Sequence, residues 1–213
     1  DALPIFGTSP DPLPPDAIIA CTFGDASANH STAAGAINAA AWTAFQHVPV
    51  PILFVCEDNG IGISVRTPES YVAQTMQHRA GIKYFACDSQ DFPGVWDTTL
   101  QAVEFVRHHR KPAFLHTKTV RLMGHAGSDV EANHMPLEQI EANEQRDPLL
   151  AFADLLLRTG AISRDAILAL YEDTDRRLRR AADEASRRRK LTSVAEIVKP
   201  LQKPRGSDFA LRV

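Results

Sequence analysis

Two short apolar runs, each ending in polar and glycine residues, constrain this 213-residue chain more than any other feature. The first run leads into residues 23–29 (FGDASAN), and the second leads into residues 57–62 (EDNGIG). Runs of this length, rich in β-branched and aromatic residues, are typical of buried parallel strands. In open α/β sheets, ligands bind just beyond the carboxyl ends of the strands. We therefore expect Asp25 and Asn59 to lie side by side at one ligand-binding edge.

Asp25 and Asn59 carry oxygen atoms of the kind that a magnesium ion prefers, a carboxylate and an amide oxygen. Glycines lie beside both residues, and they let the backbone approach a ligand closely. The residues themselves therefore predict a magnesium site with room for a diphosphate. Taken singly, each residue also has a structural interpretation, Asp25 as a helix cap and Asn59 as a turn residue.

The rest of the chain alternates between strand-like and helix-like segments. The predicted strands cover 17–23, 52–57, 84–87 and 113–118, and the predicted helices between them cover 33–45, 70–78 and 94–109. This alternation predicts a doubly wound parallel sheet of the α/β class. Asp147-Pro148 and Ser163 are typical starts of two further helices.

Composition and the positions of proline and glycine residues divide the chain into four predicted regions. They are a proline-rich lead-in over 1–16, an α/β core over 17–145, C-terminal helices over 146–190, and a linker or docking tail over 191–213. The last helix ends in a run of arginines interleaved with acidic residues. We interpret this run as a solvated helix face.

Charge and hydropathy exclude several classes of protein. The formal net charge of −3 gives no reason to expect a nucleic-acid partner. No apolar run approaches the ~20 residues that a membrane-spanning helix needs. Cys21, Cys56 and Cys87 lack the spacing of metal ligands, so we expect buried, reduced thiols in a cytoplasmic protein.

Three blocks of residues, in order, resemble one enzyme family. The first is 24–29 (GDASAN) followed by 38–41 (NAAA), the second is 58–59 (DN), and the third is 121–129 (RLMGHAGSD). Together they resemble the α subunit, or α half, of the thiamine diphosphate-dependent 2-oxo acid dehydrogenases, the decarboxylating components of the pyruvate and branched-chain complexes. The resemblance covers roughly residues 17–185. It implies a three-layer thiamine diphosphate-binding fold followed by C-terminal helices.

The resemblance also implies a set of site residues. Magnesium would be held by the side chains of Asp25 and Asn59 and by the backbone carbonyl of Ile61. The implied cofactor-binding residues are Gly24, Asp25, Ala26, Ser27, Asn59, Ile61, Arg121 and His125. His125 is the implied catalytic residue, which handles the substrate and the incoming lipoyl group. Ala126 stands where kinase-controlled relatives carry a serine, which excludes regulation by phosphorylation at that position.

The implied reaction is oxidative decarboxylation of a 2-oxo acid, with acyl transfer to a lipoyl group. The run 59–64 (NGIGIS) favours a branched-chain substrate, and pyruvate stays open. The implied partners are a β subunit or β half, which supplies the glutamate that activates the cofactor, and the lipoyl domain of the acyltransferase component. This chain would therefore be the diphosphate and magnesium half of a composite site, inactive alone, in an α₂β₂ assembly.

Two departures from the family pattern keep alternatives open. The family signature is Gly-Asp-Gly followed later in the chain by Asn-Asn. Ala26 occupies the position of the last glycine, and Asp58 occupies the position of the first asparagine, where it adds negative charge near an anionic cofactor. They support a non-catalytic scaffold that has lost the cofactor. A transketolase-like enzyme would have the same metal site, but the block 121–129 argues against it. A nicotinamide-binding protein would need a Gly-x-Gly-x-x-Gly turn after its first strand, which is missing.

Overall fold

The computed structural model describes residues 14–199, which fall into two compact units, 14–159 and 160–199. Most of the predicted lead-in and the prolines of the predicted tail, Pro200 and Pro204, lie outside the described residues. The first unit contains the predicted α/β core. The described residues of the second unit contain two helices.

The first unit is built on a four-stranded parallel sheet in the order β1-β2-β4-β3. The strands are β1 (Ile19–Gly24), β2 (Ile52–Asp58), β3 (Lys83–Asp88) and β4 (Ala113–Lys118). All four predicted strands and the α/β class are confirmed. The expectation that the first strand is buried is wrong, because β1 has a single neighbouring strand within residues 14–199 and Ile19 is 57% exposed.

Helices follow the strands on both sides of the sheet. They are α1 (Asp25–Ala28), α2 (Ser31–Phe45), α3 (Tyr71–Met76), α4 (Phe92–His109), a 3-10 turn (Glu131–Asn133), α5 (Leu137–Glu144) and α6 (Pro148–Arg158). The Asp147 carboxylate accepts the Leu149 N–H at 2.8 Å and Pro148 occupies the first turn, so α6 begins where the sequence predicts. The predicted helices are confirmed, while α5 lies outside the predicted ranges and α1 was anticipated only by the interpretation of Asp25 as a helix cap.

Two apolar clusters make the three-layer arrangement stable. On one face, Ile37 of α2 and Val72 of α3 pack on Phe54 and Phe114. On the opposite face, residues of α4 pack on Leu53 and its neighbours. Adjacent strand residues such as Leu53 and Phe54 point to opposite faces, so each central strand contributes to both clusters. The sheet therefore lies between helical layers, as expected.

The second unit contains α7 (Arg164–Arg187) and α8 (Val194–Val198). Ser163 caps α7 by accepting the Ala166 N–H at 3.2 Å, which confirms the predicted start. Arginines along α7 pair with acidic residues one turn away, for example Arg179 with Asp175 at 2.7 Å. These side chains are exposed, as expected for a solvated face. No helix in residues 14–199 is long and apolar enough to cross a membrane.

The three cysteines are free, but they are not all buried. Cys56 is fully buried on β2, Cys87 is partly buried, and Cys21 is exposed. The expectation for Cys21 is wrong for the same reason as for the rest of β1: in the described part of the chain, this strand lies at the edge of the sheet.

Two glycines give a matched test of this packing. Gly81 has a φ of +81°, and a Cβ there would lie 2.5 Å from the carbonyl oxygen of Ala41. We expect Gly81→Ala to lower the free energy of unfolding by more than about 1 kcal/mol, measured by urea denaturation. Gly35 of α2 has open space around it, so Gly35→Ala should be neutral or stabilise by up to about 1 kcal/mol. Equal effects of the two substitutions would contradict this packing.

Candidate active site

The carboxyl ends of β1 and β2 meet at one edge of the sheet. The two strands pair in parallel with Gly24 opposite Glu57, so Asp25 and Asn59 follow neighbouring strand ends, as predicted. The segments beyond these ends also approach each other. A Cβ placed on Gly62 would lie 3.2 Å from the Ala26 Cβ, a tight contact that requires the neighbouring atoms to shift by a few tenths of an ångström. The first two signature blocks therefore lie together.

Asp25 is the most unusual group at this edge. It is 1% exposed, and its Oδ2 has no hydrogen-bond partner in the described part of the chain. The residue that precedes α1 is Gly24 and no side chain caps this helix, so the helix-cap interpretation of Asp25 is wrong. A buried carboxylate oxygen without a partner is unfavourable unless a cation or donor reaches it. The Asp25 carboxylate therefore has the chemistry of a metal ligand.

Asn59 begins a tight loop beyond β2. Its Oδ1 accepts the Ile61 N–H at 3.1 Å, so the turn interpretation is observed. An amide oxygen has a second lone pair, which stays available to a cation. Gly60, with a φ of +74°, adopts a conformation that favours glycine. The loop closes where the Thr67 N–H donates to the Gly60 carbonyl at 3.0 Å.

Arg121 holds this loop from the end of β4. Its Nη1 donates to the carbonyls of Gly62 at 2.8 Å and Ile63 at 2.9 Å, and its Nε lies 3.9 Å from a Glu131 carboxylate oxygen. Nε and Nη2 are buried without hydrogen-bond partners within residues 14–199. Arg121 therefore positions the loop and retains donors for an anion.

A cavity of about 150 Å³ borders Arg121 and the loop. Asn59 and Ile61 line it, and so do Arg66 and Arg146, which sequence reasoning missed. Neither arginine belongs to a signature block, and only the folded chain brings them to this edge.

His125 lies in the exposed loop that follows Arg121. It is exposed, and its backbone N–H donates to Asp129 Oδ2 at 2.9 Å, which orders the loop. No hydrogen bond within the described residues joins its imidazole to Asp25 or Asn59. Of the other predicted residues, Ala26 and Ser27 are exposed on α1 at the same edge as Asp25.

A chain of hydrogen bonds, which the sequence did not predict, lies behind the Asn59 loop. Asp58 Oδ2 lies 2.7 Å from His116 Nε2, and His116 Nδ1 lies 2.7 Å from the Tyr84 hydroxyl. Asp58 Oδ1 accepts the Gly60 N–H at 3.0 Å. The available signal was a histidine and a tyrosine inside apolar strands, which does not identify the polar partners of either residue.

The thiol of Cys56 is buried and lies near three carboxylates. Burial, followed by the negative charges of Asp58, Asp25 and Glu57, raises the pKa of Cys56 to about 12. The thiol is therefore neutral at physiological pH and cannot serve as a nucleophile.

Residues 14–199 contain no cluster of three or more His, Cys, Asp or Glu side chains that could hold a metal ion. The predicted magnesium ligands are of another kind, one carboxylate with an amide and a backbone oxygen. Such a mixed oxygen set is common for magnesium, which also retains water and binds substrate phosphates. The orphaned Oδ2 of Asp25 fits this ligand set.

Comparison with known proteins places this geometry in context. The family described as "Dehydrogenase E1 component" matches residues 15–193. Pyruvate dehydrogenase E1 component subunit alpha of Rickettsia conorii is 28% identical over 178 residues, covering 82% of this chain and 52% of the relative. 2-oxoisovalerate dehydrogenase subunit alpha of Bacillus subtilis is 27% identical over 167 residues, covering 77% and 49%. The chain spans about half the length of these curated relatives.

Cysteine labelling tests the environment of this edge. With iodoacetamide at about pH 8, we expect Cys21 to be alkylated rapidly and Cys56 to stay unmodified, because a buried neutral thiol is inert. Peptide mapping by mass spectrometry measures both sites, and denatured protein, in which all three cysteines react, is the control. Alkylation of native Cys56 at the rate of Cys21 would contradict the described burial.

Proposed function

Because the chain belongs to the dehydrogenase E1 component family, we propose that it forms the diphosphate- and magnesium-binding half of a thiamine diphosphate-dependent 2-oxo acid dehydrogenase. Relatives named as pyruvate and 2-oxoisovalerate dehydrogenase α subunits support the substrate class. The observation that carries the proposal is the buried, unpartnered Asp25 Oδ2 beside the Asn59 loop.

Asp25, Asn59 and the carbonyl of Ile61 would hold the magnesium ion. The cofactor, when bound, supplies the carbanion and the electron sink that decarboxylation requires. The remaining work of this chain is placement and electrostatics. The backbone of 24–27 would lie along the diphosphate, and the two free donors of Arg121 would face its negative charge.

His125 is the proposed catalytic residue of this chain. Its exposed loop, ordered by Asp129, would present the imidazole to the substrate and to the lipoyl group. An imidazole can both accept and donate a proton, which suits general acid–base work on a substrate.

The proposed site is composite. A β subunit or β half would supply the glutamate that activates the cofactor, and a lipoyl domain would accept the acyl group. A branched-chain substrate is favoured by the run 59–64, with pyruvate as the alternative. Decarboxylation of 2-oxo acids by the chain alone would contradict this arrangement. We also propose a cytoplasmic location, which the three free thiols support.

The scaffold alternative rests on Ala26 and Asp58. The Asp58 carboxylate is engaged by His116 and by the Gly60 N–H, so its charge has partners of its own. This arrangement favours a site that still binds an anionic cofactor. The family match favours a dehydrogenase over a transketolase-like enzyme.

Asp25→Asn tests the metal site. We expect the affinity for thiamine diphosphate with magnesium to fall by at least about 100-fold, because losing a ligand exceeds the 10- to 100-fold effect of outer-shell changes. Calorimetric titration of the chain with its co-purifying partner measures the affinity. Asp88→Asn, at the end of β3, is the matched control and should bind normally. Unchanged binding by Asp25→Asn would overturn the proposal.

His125→Ala tests the catalytic assignment. In the assembled enzyme, we expect kcat for lipoyl acylation to fall by about 10²- to 10⁴-fold, the usual contribution of a general acid or base. Cofactor affinity should change much less than in Asp25→Asn, because His125 is not a proposed metal ligand. A normal kcat would remove His125 from the mechanism.

A further inference from the structure

Three polar side chains from three strands form a continuous hydrogen-bonded chain behind the Asn59 loop. Tyr84 lies on β3, His116 on β4 and Asp58 at the end of β2. The Tyr84 hydroxyl and His116 Nδ1 are 2.7 Å apart, and His116 Nε2 and Asp58 Oδ2 are also 2.7 Å apart. The chain ends at the Gly60 N–H, which donates to Asp58 Oδ1 at 3.0 Å.

The middle residue of this hydrogen-bonded chain is buried, and its bonds are mutually consistent. His116 is only 3% exposed, so its ring nitrogens depend on these two partners. A neutral imidazole satisfies both when Nε2–H donates to Asp58 and Nδ1 accepts from Tyr84. Burial, followed by the nearby Cys56 and Asp58, raises the pKa of Tyr84, so its hydroxyl stays protonated and able to donate.

The far end of the chain fixes the backbone that carries the proposed metal ligands. Asp58 directly precedes Asn59. The Gly60 N–H that Asp58 binds belongs to the peptide bond between Asn59 and Gly60, and Ile61 follows Gly60. The backbone of Asp58 is also fixed, because its carbonyl accepts the Thr119 N–H at 2.8 Å. Both carboxylate oxygens and the carbonyl of Asp58 therefore have partners.

We propose that Asp58, held by His116 and Tyr84, is a positioning residue for the cation and diphosphate site. Its carboxylate sets the Gly60 peptide, and with it the directions of the Asn59 amide oxygen and the Ile61 carbonyl. His116 engages the Asp58 charge, which otherwise opposes an anionic cofactor. The inference rests on the proposed function, because it needs a cofactor at this edge.

Charge and hydrogen bonding at Asp58 have separable effects. Replacing His116 with leucine removes one hydrogen bond from the Asp58 carboxylate, which can then turn toward the diphosphate and repel it. Replacing Asp58 with asparagine removes the charge but keeps an oxygen for the Gly60 N–H and an amide group for His116. A rescue of the first change by the second is therefore expected from the proposed role, whereas loss of packing alone would not be rescued.

The test is calorimetric titration of thiamine diphosphate with magnesium onto the chain with its co-purifying partner. We expect His116→Leu to weaken binding by about 10- to 100-fold, the range known for outer-shell partners. Asp58→Asn should bind within a few-fold of wild type, and His116→Leu/Asp58→Asn should recover most of the loss. His108→Gln is the matched control, because it breaks an exposed histidine–carboxylate pair with Glu104 on α4, and it should change nothing.

The outcomes distinguish failure of the proposed metal site from failure of the proposed positioning role. If Asp25→Asn binds like wild type, the metal site itself is wrong. If Asp25→Asn loses binding while His116→Leu, folded by circular dichroism, binds like wild type, only the positioning role is wrong. A double variant no better than His116→Leu would also overturn that role. If His116→Leu does not fold, Tyr84→Phe, which removes one hydroxyl, replaces it in the test. We expect Tyr84→Phe to weaken cofactor binding several-fold without lowering kcat at saturating cofactor. Unchanged cofactor affinity would overturn the inference.

Discussion

The parallel pairing of β1 with β2 is the constraint on which the rest of the site depends. With Gly24 opposite Glu57, both strands end at the same edge, and the residues that follow them face one region. A shift of one residue would turn every side chain of β1 to the other face of the sheet. The small residues of α2 contribute to the same result, since Ala40 and Ala41 let that helix pack closely over the sheet.

The strand order has a second consequence. Because β4 inserts between β2 and β3, β2 has β1 on one side and β4 on the other. The first neighbour brings Asp25 to the Asn59 loop. The second brings His116 to Asp58 and, from the following segment, Arg121 to the Gly62 carbonyl. The Asn59 loop is therefore held by the His116–Asp58 hydrogen bond and by the hydrogen bond from Arg121.

The apolar runs were sufficient to predict the strands, the flanking helices and the edge that carries Asp25 and Asn59. Features set by a neighbouring element were not predictable from local pattern. The exposure of Cys21 depends on β1 being an edge strand, and the Arg121 clamp depends on a loop far away in sequence. The partner of Asp58 was missed because a histidine in an apolar strand gives no sign of which strand lies beside it.

The bond between Asp58 and His116 also limits how this sequence can change over time. The two residues are 58 positions apart in the chain, yet replacing His116 alone leaves a charged carboxylate without its partner, whereas asparagine at position 58 still offers the imidazole an amide group. A change at position 116 therefore waits on a change at position 58. In a descendant or relative with asparagine at 58, no charge needs an imidazole, and position 116 is released to carry a different residue. The two positions are therefore coupled in one order of change, even though no local sequence motif contains both residues.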